Sequence, residues 1–77
     1  MRIAICAQKT PEWEDIASQL RRLGHRVETN GRAQRVIARM AEHSFDLVVA
    51  DDRVPDVDDA LELLTELKAL APRTDII

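Results

Sequence analysis

Glycine is scarce in this chain, at two of 77 residues, and Gly24 and Gly31 stand too far apart to wrap a phosphate together. A dinucleotide-binding loop needs several glycines just after a strand so that the backbone can approach a pyrophosphate, and Cys6-Ala7-Gln8-Lys9-Thr10-Pro11 has none. Cysteine is scarcer still. Cys6 alone cannot form an internal disulfide, no Cys/His cluster has the spacing of a zinc site, and the chain reads as a reduced, cytosolic protein with Cys6 filling a buried strand. The aromatics are Trp13 and Phe45 alone, so no ring interleaves Arg21, Arg22, Arg32, Arg35 and Arg39. With a net charge of -3, those arginines read as solvated helix faces and not as a nucleic-acid surface. The apolar runs at residues 3–7 and 47–50 fall far short of the roughly 20 residues that cross a bilayer. The first is also too short for a signal peptide, and a native cytoplasmic start with no membrane contact is expected.

What is present is patterned. Apolar residues make up 45% of the chain, enough for one small core, but at this length a single core leaves a thin margin of stability. Residues 2–7 hold no polar side chain after Arg2 and suit a strand covered on both faces. Thr10, Pro11 and Glu12 then supply a cap, a first helical residue and an acid at the positive end of the dipole, predicting a helix over 11–23. Its expected stripe is Trp13, Ile16, Ala17, Leu20 and Leu23, with Trp13 as an apolar anchor in the first turn and Gly24 as the left-handed stop. A short edge strand around Val27 follows, over 25–29. Ala33, Val36, Ile37, Met40 and Ala41 repeat at helical spacing up to His43-Ser44. Residues 45–50 are the most β-branched and apolar stretch, the mark of a central parallel strand. Asp58 or Asp59 is expected to cap a third helix with Leu61, Leu64, Leu67 and Leu70 buried, and Pro72 closes it before a strand begins at Thr74.

Strands alternating with helices of this length predict right-handed crossovers, hence an α/β doubly wound parallel sheet running β-α-β-α-β-α and ending at the start of a fourth strand. Function in such sheets gathers at the carboxyl ends of the strands, here Ala7-Gln8-Lys9 and Asp51-Asp52. Charge is distributed unevenly around those ends: residues 1–43 hold eight Lys/Arg against five Asp/Glu, and residues 44–77 hold three against nine. His25 and His43 follow helix ends with no paired ligand and are not expected to be catalytic.

In segments 1–7, 23–29 and above all FDLVVADDRVPDVDDALELLTELKALAPRTDII, the chain resembles the receiver domain of two-component response regulators. An aspartate ends the hydrophobic strand, a proline lies four residues on, and an acidic turn opens a Leu-rich helix that ends in Ala-Pro. The resemblance implies a flavodoxin-like fold of strand order 2-1-3-4-5, present here as its N-terminal two thirds in a single partial domain over 1–77. It implies that Asp51, and not Asp52, stands at the phosphoacceptor position, with Pro55 as the proline of the following loop. A magnesium ion there would be shared by Asp51, the carbonyl of Arg53 and an acidic pair after the first strand. That pair is absent, since Ala7 and Gln8 stand in its place with Lys9 beside them. The hydroxyl and lysine usual at the ends of the fourth and fifth strands would lie beyond Ile77.

The resemblance therefore implies a degenerate, or pseudo-receiver, module of a signalling or transcriptional regulator. Such a module is not an enzyme, requires no cofactor, binds magnesium weakly, and acts through contacts with a sensor kinase or output domain. A phosphate-switched receiver loaded on Asp51 by a histidine kinase is the alternative. A small flavodoxin-like enzyme or ligand-binding domain is a third. If Asp51 is not phosphorylated, it is a strand-end acid that caps or pairs, with Lys9 as one partner. Self-association is expected, through a patch around Val48 and Ile76 and an open edge on the fourth strand.

Overall fold

A computed structural model describes residues 1–51 and 53–77. Strand β1 (Arg2–Cys6) is followed by helix α1 (Pro11–Arg22), β2 (Arg26–Asn30), α2 (Ala33–Glu42), β3 (Leu47–Ala50), α3 (Ala60–Leu70) and β4 (Asp75–Ile76). All strand pairs are parallel and the sheet order is β2-β1-β3-β4. The register sets Ile3 between Val27 and Leu47, and Ile5 between Thr29 and Val49. The expected α/β doubly wound architecture is the one found.

Local chemistry fixes the helix ends. Thr10 accepts a hydrogen bond from the Trp13 N–H at 3.3 Å, with Pro11 at the first helical position. At the other end the His25 N–H reaches back to the Leu20 carbonyl and the Gly24 N–H to that of Arg21, at 3.2 and 3.0 Å. This Schellman closure needs a left-handed residue, and Gly24 takes φ +94. Asp59 caps α3, accepting from the N–H groups of Leu61 and Glu62. Helix α2 has no cap of its own: Arg32 makes no side-chain cap bond and the first turn carries no acid.

Two cores lie on the two faces of the sheet. Ala4, Cys6, Val36, Phe45, Val48, Val54, Leu63 and Leu67 pack under α2 and α3. Ile3, Ile5, Ala7, Ala17 and Val27 pack under α1, with Trp13, Leu20, Leu47 and Val49 at the border. The α1 stripe is narrower than its sequence suggests, for Ile16 and Leu23 are 43% and 74% exposed. A single helix on this face covers β1 and β2 with Ala17 and its neighbours one turn away, and the flanking apolar residues remain in water. The α3 stripe is also displaced. Leu61 and Leu70 are exposed, while Leu63 and Leu67 are buried. Leucines spaced by three rotate steadily off the contact line of a straight helix, whereas a pair at i and i+4 stays on it.

The open apolar surface differs from expectation by one residue. Val48 is fully buried beneath α2 and α3, and Ile76 packs against the same core. Because successive strand side chains point to opposite faces, the uncovered positions are Leu47 and Val49, half-buried on the α1 side, and the exposed Ile77 beyond β4.

Candidate functional site

In strand order 2-1-3-4 the chain leaves β1 toward one edge and β3 toward the other, so the loops after these two strands part and leave a crevice at the carboxyl end of the sheet. A cleft of about 360 Å³ lies there, lined by Gln8, Thr10, Glu12, Trp13, Asp51 and Arg53. The Asp51 N–H donates to the Cys6 carbonyl at 2.8 Å, which extends the β1-β3 ladder and fixes the carboxylate at the crevice floor.

Donors from the same chain surround that carboxylate. Oδ1 accepts from the backbone N–H of Arg53 at 3.0 Å and from its Nε at 3.2 Å. Oδ2 accepts from Arg53 Nη2 at 3.0 Å and from the Trp13 indole N–H at 3.2 Å. The Asp51 side chain is 10% exposed, that of Arg53 80%. The side-chain and backbone hydrogen bonds from Arg53 outweigh the cost of burial and, with help from Trp13, hold the Asp51 carboxyl down at about 2. Gln8 completes the arrangement: its amide donates to the Arg53 carbonyl at 2.7 Å.

The structure thus brings Gln8, Asp51 and Arg53 together, three of the positions singled out in the sequence. Ala7 is next to them but buried in the α1-side core, and Pro55 is exposed on the loop. Asp52 lies outside the described residues. Lys9 does not pair with Asp51; it meets Glu14 at 3.4 Å, both side chains largely in water. His25 and His43 lie at the opposite, amino end of the sheet, where their Nδ1 atoms meet the N-terminal amine and Arg2 Nη1. Among the described residues, no three His, Cys, Asp or Glu side chains converge into a set able to hold a metal ion.

Two participants were not expected to bond here. Trp13 read as an apolar anchor, and its indole N–H proves to be a ligand of Asp51. The available hint was its position in the first turn of α1, which necessarily hangs over the end of β1. The other is Asp56, whose Oδ1 and Oδ2 accept from the N–H groups of Ala33 and Gln34 at 2.8 and 3.0 Å. The loop after β3 therefore supplies the missing cap of α2. These backbone bonds lower the Asp56 pKa against the opposing effect of burial, Gln34 contributing most. Cys6, beneath both acids, is pushed up to about 11, first by burial and then by the charges of Asp56 and Asp51.

Because both carboxyls titrate lower in the folded chain than in the unfolded one, each adds stability that is complete above the unfolded value and lost as the pH falls through the folded one. For Asp51 that window runs from its ordinary 3.8 down to about 2. Thermal melts of the parent chain are expected to drop across this window, and Asp51→Asn and Asp56→Asn should each flatten the drop. Parallel curves for parent and variants would show that neither carboxylate carries it.

No family model matches the chain. No curated protein matches it either. Among solved structures it is similar to the response regulator protein TrrA, from a crystal structure of the histidine kinase ThkA in complex with TrrA, with a TM-score of 0.83 at 20% identity. The match covers 97% of this chain and 64% of that one, so the chain spans about two thirds of the neighbour's length. At this identity the likeness establishes the fold alone, a flavodoxin-like doubly wound sheet present here over four strands.

Proposed function

We propose that the chain is a pseudo-receiver module of a signalling or transcriptional regulator, working by protein-protein contact in the cytoplasm and not by catalysis. The observation that carries this reading is the state of Asp51. Its two oxygens hold four donors from Arg53 and Trp13, and the Arg53 carbonyl, the other oxygen on which a magnesium ion would depend, is taken by the Gln8 amide. The residues present do not fit that ion. Magnesium keeps several waters and needs hard anionic oxygens around it, whereas this crevice offers Asp51, already paired with a guanidinium, and Glu12 on its lining. Ala7 and Gln8 bring no charge to offset a dication. Without a dication, attack of Asp51 on a phosphoryl donor would leave the incoming phosphoryl oxygens with no metal to share their charge.

The strand-end position of Asp51 and the fold shared with a response regulator favour the second reading, a phosphate-switched receiver. One experiment separates the two. Amide shifts of Asp51 and Arg53 in a magnesium titration are expected to show no saturation below about 1 mM, and acetyl phosphate or a beryllium fluoride mimic is expected to leave the spectrum unchanged. Stoichiometric labelling that disappears in Asp51→Asn would establish the switched receiver instead. An enzyme reading finds no support in the cleft, whose lining among the described residues offers no nucleophile paired with a base.

Partners are proposed to be of the kinase or output-domain kind, by analogy with a neighbour that was crystallised bound to a histidine kinase. The 77-residue chain is also proposed to self-associate over Leu47, Val49 and Ile77 and along the outer edge of β4. Sedimentation of the same samples at low concentration is expected to show a reversible dimer, and a compact monomer throughout would remove this part of the reading.

A further inference from the structure

We infer that the crevice at the end of β1 and β3 is a seat for a guanidinium or primary ammonium group, filled here from within by Arg53 and open to an arginine or lysine side chain of a protein partner when Arg53 turns outward. The inference rests on the contact-module reading above and names the chemistry by which that contact is made.

The asymmetry between the two members of the ion pair leads to it. Asp51 is nearly buried and Arg53 is mostly in water. The Asp51 carboxylate, its side chain 10% exposed, needs donors on both oxygens, whereas the Arg53 guanidinium, 80% exposed, stays hydrated and gains little from this one pair, as in other surface ion pairs. The requirement belongs to the acid, and the identity of the cation is exchangeable.

The geometry of exchange follows from the bonds. When the Arg53 side chain leaves, the Arg53 backbone N–H stays on Oδ1 and the Trp13 indole N–H stays on Oδ2. The places vacated are those of Nε on Oδ1 and Nη2 on Oδ2. One vacancy on each oxygen of a single carboxylate is the two-point seat that a planar guanidinium fork fits. Trp13 lines the same cleft, and Glu12 adds a second acid to the lining. Without Arg53 the lining carries two carboxylates, an indole, an amide and a hydroxyl, and no positive group. That composition repels phosphate and attracts an organic cation. A dication is poorly served, because the neighbouring carbonyl still accepts from Gln8.

The test uses Arg53→Ala, whose side chain is exposed enough that the fold should survive, with Arg53→Gln as a second variant that keeps the length without the charge. Methylguanidinium is titrated at constant ionic strength against a sodium control, following the fluorescence and indole N–H shift of Trp13, the chain's one tryptophan. Both variants are expected to bind it roughly tenfold more tightly than the parent, and adding Asp51→Asn is expected to abolish the response. A response that survives Asp51→Asn, or none in either variant, overturns the inference. So does magnesium binding by Arg53→Ala without methylguanidinium binding, for Arg53 would then mask a divalent site. The pseudo-receiver reading is judged separately, on magnesium and acetyl phosphate with the parent chain.

Discussion

The double variant Ala7→Asp, Gln8→Asp is expected to melt far below the parent chain and to recover much of the loss when magnesium is added. Placing two carboxylates at the end of β1 is not a neutral graft. Gln8 is exposed, but Ala7 is 5% exposed and shares its cluster with Ile3, Ile5, Ala17 and Val27. A carboxylate placed there loses its hydration against apolar neighbours, and an uncompensated buried charge costs on the order of 3 kcal/mol or more. Gln8→Asp also removes the amide that holds the Arg53 carbonyl and adds a third acid beside Asp51. A dication bound by the new set would offset this, since a ligand at a hundredfold its dissociation constant adds about 2.7 kcal/mol. Melting temperature against magnesium concentration is the measurement, with Ala7→Asn, Gln8→Asn as the uncharged control. A double aspartate variant as stable as the parent without magnesium would mean that position 7 reaches water, and a loss that magnesium does not repair would mean that the crevice cannot close around an ion.

Leu67→Ala is expected to remove a large share of the stability of the whole chain. Leu67 is 1% exposed and joins α3 to Val48, Phe45 and Val36 across the larger of the two cores. Truncating a buried leucine costs about 2–5 kcal/mol, against a total of roughly 4–12 kcal/mol for a chain of this length. Leu61→Ala, at 72% exposure on the same helix, should cost little. Urea denaturation of the two variants makes the comparison internal, and equal midpoints would show that α3 is not docked through Leu67.

The contrast between these two leucines also measures what the sequence could tell. Element order and the helix starts at Pro11 and after Asp58 or Asp59 were legible because each depends on neighbours in sequence: a hydroxyl before a proline, an acid before a leucine-rich run, β-branched residues in a block; the strand order came with the receiver resemblance. Which leucines face inward was less so. The spacing of three at Leu61, Leu64, Leu67 and Leu70 catches the eye, but the line of contact with a sheet is set by the helix's tilt and by how much of it the sheet can cover. The site divides in the same way. Asp51 was visible as the acid at the end of the apolar strand, and Ala7 and Gln8 were singled out through the receiver resemblance. The bonds that occupy Asp51 were not, since Trp13 reaches it across 38 residues and Gln8 reaches the Arg53 carbonyl across 45. Lys9 was the natural partner by charge, but the nearer Glu14 in the first turn of α1 has it instead.

The borrowed cap on α2 bears on the order in which the chain takes shape. Helix α2 is ten residues long, and an isolated helix of that length is marginal in water even when well capped. Its first turn has no local acceptor, and the two N–H groups at its start wait for a carboxylate 23 and 22 residues downstream. A ribosome that has exposed residues 1–42 has therefore released a helix whose beginning is frayed, and the segment through Asp56 must emerge and fold back before that turn can settle. The closure is a non-local one, of the kind that slows folding more than it affects final stability. Helix α2 is thus set apart from α1, which carries Thr10, Pro11 and Gly24 within its own stretch of chain and needs no distant residue to close its ends.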